Sequence, residues 1–292
     1  MKEYKFDMEN MRQGKKKNNI VLLRSENDEL FLSLKDDQNV EIQRIKVLSI
    51  SKIKKLTNFF MRGFNIKLID ASLEDILIPE EDLMEAERKI IVQGEDAEER
   101  VKHSMDLLQE KYEASLNRED YQRTMVYMDT YDRQLEKNNM IFRLTQENSD
   151  VKATIHMDNN LPGDEKHILK FFFTNTSMPY VIHFFEESLS LQAITKEITS
   201  NRTEYKSSFG EVSFDKMNNG DYYVIELELD KFMNESCDSG KVDEVAKRIA
   251  KNLDLGDCKI VDQGTEAIHK LQTGKDFFEE YKIQEETVKG SF

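Results

Sequence analysis

Residues 85–89 read EAERK, and residues 225–229 read IELEL. Each stretch places two glutamates two residues apart in what the surrounding sequence predicts to be a β-strand. Because alternate residues of a strand share a face, each stretch puts two like charges on one side. Such crowding raises the pKa of a carboxyl group unless a cation lies nearby. Both stretches therefore predict a charged face that serves a purpose other than packing.

The chain of 292 residues is long enough for one large domain or two smaller ones. It carries 42 basic and 57 acidic side chains, a formal net charge of −15. This charge repels nucleic acid and anionic membranes at long range, so an anionic ligand needs a local cationic site. The sequence lacks an apolar run of the ~20 residues that cross a bilayer, a signal peptide and a cysteine framework. We therefore expect a cytoplasmic protein.

Residues 1–83 predict a small β-rich domain whose role the sequence does not indicate. No element is assigned to residues 1–18, and apolar residues at helical spacing predict one helix over 50–63. The predicted strands of this domain are 19–24, 29–34, 40–48 and 64–70.

Residues 84–292 predict a second domain in which strands and helices are mixed. The predicted strands are 84–92, 122–129, 140–146, 151–157, 167–175, 196–206, 210–215, 221–230 and 258–262. The predicted helices are 96–115, 178–195, 240–253 and 265–282. We expect an α+β fold in which about eight antiparallel strands curl into a barrel with the helices packed outside.

Several of these strands alternate apolar and titratable residues, as Glu226 and Glu228 do with Ile225 and Leu227. Two architectures satisfy this pattern. The apolar faces form an ordinary core and the charged faces meet solvent, or the sheet closes around a polar lumen and the helices cover its apolar outside. The number of strands with this pattern favours the second architecture. In such a lumen, glutamates suit Mg²⁺ or Mn²⁺, and lysines and arginines suit a polyphosphate.

Five segments of the second domain resemble, in order, those of one known family. The segments are EAERK (85–89), VYMDTYDRQLEKNNMIFRL (126–144), KATIHM (152–157), EITSNRTEY (197–205) and EVSFDKMNNGDYYVIELEL (211–229). They are similar to the E-x-E-x-K signature, the Y-F-D-T to L-R segment, the T-L-K strand, the K-x-R strand and the E-I-E-x-E hairpin of the CYTH family, also called triphosphate tunnel metalloenzymes. The resemblance covers residues 84 to about 262. It implies an eight-stranded antiparallel barrel that forms a tunnel for a triphosphate and one or two divalent metal ions.

The resemblance also implies roles for individual residues. Glu87, Lys89 and Arg143 are expected to carry catalysis. The implied ligands of Mg²⁺ or Mn²⁺ are Glu85, Glu87, Glu226 and Glu228. The side chains expected to bind substrate are Lys89, Arg143, Lys152, His156, Lys170, Arg202 and Lys206.

The chain departs from the family pattern at several tunnel positions. Thr145 stands where the second arginine of the family's L-R-x-R is expected, and His156 stands where the lysine of T-L-K is expected. The strand that usually carries R-x-E-x-E reads HILKFFFTNT (167–176), with Lys170 as its charged candidate. These changes reduce the expected charge of the tunnel, and Lys152 and Lys206 lie on faces from which they could compensate.

We expect metal-dependent hydrolysis of a small triphosphate, which is inorganic triphosphate, thiamine triphosphate or a nucleotide. Two alternatives stay open: cyclisation of ATP to cyclic AMP, as in class IV adenylyl cyclases, and a non-catalytic module that binds a triphosphate or nucleotide. The acidic surface argues against nucleic acid as a partner, and no membrane contact is expected. Residues 1–83 could mediate a homodimer or contact another protein.

Overall fold

The structure is a computed structural model, and it describes residues 2–7, 19–24, 30–36, 38, 40–47, 67–68, 87–112, 119–157, 167–206, 210–217, 222–229, 239–262 and 264–282. The helix predicted over 50–63 and the signature residue Glu85 lie outside these ranges.

A first antiparallel sheet is formed by the N-terminal part of the chain. Its strands are β1 (Lys2–Asp7), β2 (Asn19–Arg24), β3 (Leu30–Lys35), β4 (Glu41–Val47) and β5 (Lys67–Leu68), in the order β4-β3-β2-β1-β5. The predictions for β2, β3 and β4 are confirmed, and β5 covers only part of the strand predicted over 64–70. Strand β1 was not predicted, and it is stabilised by pairing with β2 on one side and β5 on the other.

The second sheet contains the remaining strands. They are β6 (Glu87–Gln93), β7 (Glu119–Thr130), β8 (Ile141–Glu147), β9 (Asp150–Met157), β10 (His167–Phe173), β11 (Leu191–Ala193), β12 (Ile198–Lys206), β13 (Glu211–Met217), β14 (Tyr222–Glu228) and β15 (Lys259–Val261). The sheet order is β10-β9-β8-β7-β12-β13-β14-β6-β15, with β11 paired to β7, and every pairing is antiparallel. The predicted α+β class with one large antiparallel sheet is confirmed. Within the described ranges, β10 and β15 are the two edge strands of this sheet, and they are not hydrogen-bonded to each other.

Six helices of the described ranges accompany this sheet. They are α1 (Ala97–Tyr112), α2 (Gln134–Lys137), α3 (Met178–Leu189), α4 (Ser239–Asn252), α5 (Thr265–Thr273) and α6 (Phe277–Glu280). The helix predicted over 178–195 ends early, because Ser190 adopts a left-handed φ of 53° and β11 follows. The helix predicted over 265–282 is divided in two at Gly274, whose φ of 73° favours glycine. None of the helices described is both long and apolar enough to cross a membrane.

The second sheet is strongly curved. β10 and β13 are five strand spacings apart in the sheet order, which would separate them by about 24 Å in a flat sheet. Phe172 of β10 and Glu211 of β13 nevertheless line one cavity of about 340 Å³. The sheet therefore has a concave face, on which distant strands approach one another, and a convex face.

The convex face is apolar and covered by helices. Helices α1 and α4 pack on β6, β13 and β14, where Ile90, Phe214 and Leu227 are buried in one cluster. Helix α3 packs on β8, β9 and β10 in a second cluster, which Leu32 and Ile45 of the first sheet also join. The division of the chain at residue 84 stays a prediction, and the two sheets share this apolar contact.

The concave face is apolar at one end only. Helices α5 and α6 close that end with Ile268, Phe277 and Tyr281, which cluster with Ile91 and Tyr127 of the sheet. The rings of Tyr127 and Phe277 meet edge to face, with centroids 5.2 Å apart. The remainder of the concave face carries charged side chains.

Replacing Phe185 of α3 with alanine should destabilise the chain by about 3–5 kcal/mol. Its ring is buried, with its centroid 4.9 Å from that of Phe142 of β8, so its loss leaves a cavity between α3 and the convex face. Urea unfolding measures the change. Tyr131→Ala is the control, because Tyr131 is 83% exposed and its loss should change stability by less than about 0.5 kcal/mol. Equal unfolding midpoints for both variants would contradict the packing of α3.

Candidate functional site

The predicted site residues of the described ranges share the concave face of the second sheet. Residues directly opposite in an antiparallel pair point to the same side, and the register links the strands in this way from β6 to β10. The predicted residues on this face are Glu87, Lys89, Arg143, Lys152, His156, Lys170, Arg202, Lys206, Glu226 and Glu228. Glu85 lies outside the described residues, so its role stays a prediction.

The two acidic stretches that are far apart in sequence meet between β6 and β14. Glu226 lies directly opposite Lys89, and Glu228 lies directly opposite Glu87. The Lys89 ammonium contacts the Glu87 carboxylate, and its Nζ is 3.9 Å from Oε1 of Glu226. A cation therefore lies between glutamates of both strands. Arg88 points to the convex face instead, where its Nε donates to Oδ1 of Asp243 in α4 at 2.6 Å.

A buried ion-pair network extends from Glu226 across β13 and β12 to β7. The Nη2 of Arg202 lies 2.5 Å from Oε2 of Glu226 and 2.5 Å from Oδ2 of Asp215. Arg123 donates to the same Asp215 oxygen at 3.0 Å, and Ser200 donates to the other at 3.2 Å. Because buried charges are tolerated when they are paired and hydrogen-bonded, this network holds both arginines in place.

The network also keeps Glu226 ionised. Burial acts to raise the pKa of this carboxyl, but the charges of Arg202, Lys89 and Arg123 hold its pKa well below the usual range. Asp215 is not among the predicted metal ligands, and its carboxylate pairs with Arg202 and Arg123 instead. Arg123 was missed, although it shares a strand face with Met125 and Tyr127, a pattern that could have placed it inward.

The opposite part of the concave face, on β8, β9 and β10, is cationic. Arg143, Lys152 and Lys170 lie there, and Lys152 Nζ is 4.0 Å from Oε2 of Glu147. Burial lowers the pKa of Lys152, and the charges of Lys170 and Arg143 lower that pKa further, against the effect of Glu147. Like charges are therefore close together here, as in sites that bind a polyanion.

The other two predicted basic residues lie at the margins of the face. Lys206 is exposed at the end of β12, directly opposite Glu211 of β13. His156 is half-buried on β9, directly opposite Ile141 of β8, and it lies towards the end that α5 and α6 close. Both positions are less central than those of Lys89 and Arg202.

The acidic side chains suit a divalent metal by their chemistry. Carboxylate oxygens are the donors that Mg²⁺ and Mn²⁺ prefer, and Glu87 and Glu228 face each other on neighbouring strands. Glu226 is engaged by Arg202 and Lys89. In the part of the chain that is described, no three His, Cys, Asp or Glu side chains are grouped as a metal site. A carboxylate pair is therefore on this face, and Glu85, another of the four predicted metal ligands, lies outside the described residues.

A second acidic group lies away from the apolar end, in the 340 Å³ cavity. Tyr121, Lys152, Glu204 and Glu211 line this cavity, and the Tyr121 hydroxyl donates to Oε2 of Glu204 at 2.8 Å. Burial raises the pKa of Glu211 to about 7, together with the charges of Glu228 and Glu204. Neither Glu204 nor Glu211 is among the predicted site residues.

The segment 126–144, which resembles a family motif, also has a local structural role. The buried Asp129 accepts backbone N–H hydrogen bonds from Leu135 at 2.9 Å and Glu136 at 3.2 Å. These contacts hold α2 against the end of β7. The α2 helix was not predicted, because four residues are too few for a helical period to be recognised.

No protein-family model matches the sequence, and neither does any curated protein. Several solved structures are similar in fold. A proposed adenylate cyclase from Vibrio parahaemolyticus is 10% identical with a TM-score of 0.43, over 59% of this chain and 89% of that one. A protein from Pyrococcus horikoshii is 12% identical with a TM-score of 0.43, over 65% of this chain and 99% of that one. A proposed adenylyl cyclase from Hippeastrum, described as having a dominant triphosphatase activity, is 12% identical with a TM-score of 0.43, over 65% and 95%.

At such identities and TM-scores, the likeness by itself assigns no activity to this chain.

The raised pKa of Glu211, about 7 against an ordinary 4.5, makes stability depend on pH. Between these values the folded chain holds a proton that the unfolded chain has released, so the free energy of unfolding falls as pH rises from about 4.5 to 7. Urea unfolding at pH 5 and pH 8 in a metal-free buffer measures this fall. The fall should be smaller in Glu211→Gln than in the unsubstituted chain.

The control is Glu110→Gln, a substitution on the exposed side of α1, which should leave the pH dependence of stability unchanged. If Glu211→Gln and the unsubstituted chain lost the same stability between the two pH values, Glu211 would titrate as an ordinary surface carboxylate.

Proposed function

We propose that this chain is a triphosphate tunnel protein of the CYTH type, which binds a small triphosphate on the concave face and hydrolyses it with the help of Mg²⁺ or Mn²⁺. The observation that carries this proposal is the meeting of the two acidic stretches around Lys89, with Arg202 beside them. A solvated sheet face would leave these side chains exposed, whereas Lys89 is 12% exposed and Arg202 is 7% exposed.

We propose further that the curved sheet encloses a tunnel. The eight long strands, the helices on the convex face and the apolar plug of α5 and α6 support this architecture. One end is closed by apolar side chains, so the ligand would enter from the end where Glu211 and Lys152 line the cavity.

The basic side chains of the concave face are the proposed phosphate contacts. Lys89, Arg143, Lys152, Lys170 and Arg202 come from five strands, so they can reach different phosphoryl groups of one extended ligand. Without a ligand, Lys89 and Arg202 contact carboxylates, which keeps their charge paired while it is buried. On binding, phosphoryl oxygens would replace part of these carboxylate contacts.

Glu87 and Glu228 are the proposed metal ligands on described strands, with Glu85 as the third. A divalent ion held there would offset negative charge on the reacting phosphoryl oxygens. Glu226 has a different proposed role, which is to position Arg202 and Lys89. Arg143 and Lys89 would stabilise the charge that develops on the leaving phosphoryl group.

A second candidate function is a non-catalytic module that binds a triphosphate or nucleotide. The departures at Thr145 and His156 favour it, because both positions carry less charge than the family pattern implies. Partner binding through residues 1–83 would suit such a module. The exposed Ile42 of β4 and the neighbouring Val40, 55% and 57% exposed, support a contact with a second copy or another protein at that sheet.

Phosphate release from inorganic triphosphate, thiamine triphosphate and ATP, each with Mg²⁺ and with Mn²⁺, tests the proposed function. Lys89→Ala should lower the rate about 10²- to 10³-fold, because it removes a cation that contacts the developing charge. Lys102→Ala is the matched control, since Lys102 is 69% exposed on α1, and it should leave the rate unchanged.

Identification of the products separates the alternatives. Cyclic AMP and pyrophosphate from ATP would indicate a cyclase, and tight binding without turnover would indicate a binding module. A chain that neither binds nor converts any of the three triphosphates would contradict the proposal.

A further inference from the structure

Five polar side chains adjoin one another on the concave face of β8, β9 and β10. We refer to them as the β8–β10 seat, and its members are Arg143, Thr145, Lys152, Thr154 and Lys170. Thr154 lies directly opposite Arg143 on one side and Lys170 on the other, and Thr145 lies directly opposite Lys152. Side chains that are directly opposite have Cβ atoms about 5 Å apart. Each threonine therefore has a basic side chain as its immediate neighbour.

The two threonine hydroxyls are the unusual members of this seat. Thr145 is 1% exposed and Thr154 is 2% exposed. Within the described part of the chain, neither Oγ1 atom has a hydrogen-bond partner. A buried hydroxyl without a partner is unfavourable, and valine has nearly the same shape without this cost. Two such hydroxyls, placed diagonally on neighbouring strands among cations, indicate a bound group that accepts hydrogen bonds.

The charges around the hydroxyls specify the kind of group. Burial lowers the pKa of Lys152, and Lys170 and Arg143 are close enough to lower it further through their like charges. An anion with several acceptor oxygens satisfies both needs, since it offsets these charges and accepts from the hydroxyls. A phosphoryl group has this chemistry, and an apolar or cationic ligand has not.

We propose that Thr145 and Thr154 donate hydrogen bonds to one phosphoryl group of a polyphosphate ligand, which Arg143, Lys152 and Lys170 hold in the β8–β10 seat. This inference rests on the proposed function and adds two neutral donors to it. Thr145 occupies a position where the resemblance implies an arginine. A hydroxyl there supplies a donor without placing a further cation directly opposite Lys152.

Titration calorimetry of the full chain with inorganic tripolyphosphate, in a metal-free buffer that prevents turnover, tests the seat. Thr145→Val and Thr154→Val should each weaken binding about tenfold, the effect of removing one hydrogen bond to a charged group. Both variants should unfold in urea at the same or a higher concentration than the unsubstituted chain. Thr145→Ser and Thr154→Ser keep the hydroxyl and should keep the affinity.

Ser188 provides a matched control. Its Oγ is also buried and, among the described residues, also lacks a hydrogen-bond partner, but it belongs to α3 on the convex side. Ser188→Ala should therefore leave the affinity for tripolyphosphate unchanged.

Each outcome decides between the two proposals. If the unsubstituted chain binds tripolyphosphate and both valine variants bind it equally well, the proposed hydrogen bonds from Thr145 and Thr154 are contradicted. The proposed function then stands. If the valine variants lose stability along with affinity, and the serine variants do not restore the affinity, the hydroxyls have only a structural role. If the unsubstituted chain does not bind tripolyphosphate, the proposed hydrogen bonds of the seat are contradicted. The proposed function is contradicted only if thiamine triphosphate and ATP also neither bind nor react.

Discussion

The pairing of Asp215 with Arg202 and Arg123 is the interaction on which the concave face depends. Asp215 is 1% exposed, and the two guanidinium groups reach its carboxylate from the neighbouring strand β12 and from β7. A single unpaired charge buried in this position would strongly destabilise the fold. The fold therefore depends on burying opposite charges next to one another. Glu226 extends the same pairing to β14 through Arg202.

The curvature of the sheet makes this pairing of buried charges necessary, and it also gathers the charged side chains on one enclosed face. Curling brings strands five spacings apart to one cavity, so charged side chains that would meet water on a flat sheet are enclosed instead. The apolar residues of the same strands face outward, where α1, α3 and α4 cover them. Charge is therefore concentrated inside the curved sheet, where the proposed anionic ligand would meet local cations although the net charge of the chain is strongly negative.

Much of this arrangement could be predicted from alternation along single strands. The opposite directions of Lys89 and Arg88, and of Glu226 and Leu227, follow from a period of two, and all four side chains point as that period predicts. Arg123 lies in no segment that resembles the family, and Glu211 only begins one, the segment 211–229. Neither was recognised, because the importance of both comes from partners on other strands. The end of α3 at Leu189 was missed because nothing in the local sequence marks Ser190 as a left-handed residue.

The sequence by itself determined which side chains share a face, the mixed α+β composition and the charged character of one side of the second sheet. These properties are local, since they depend on the spacing of residues within one strand or helix. Only the tertiary structure decided that Lys89 lies between Glu87 and Glu226, that Arg202 bridges Asp215 and Glu226, and that two threonine hydroxyls are buried beside three cations. The physical reason is that strand order and register, together with the curvature of the sheet, set these distances, and each of them arises from contacts between residues far apart in the chain.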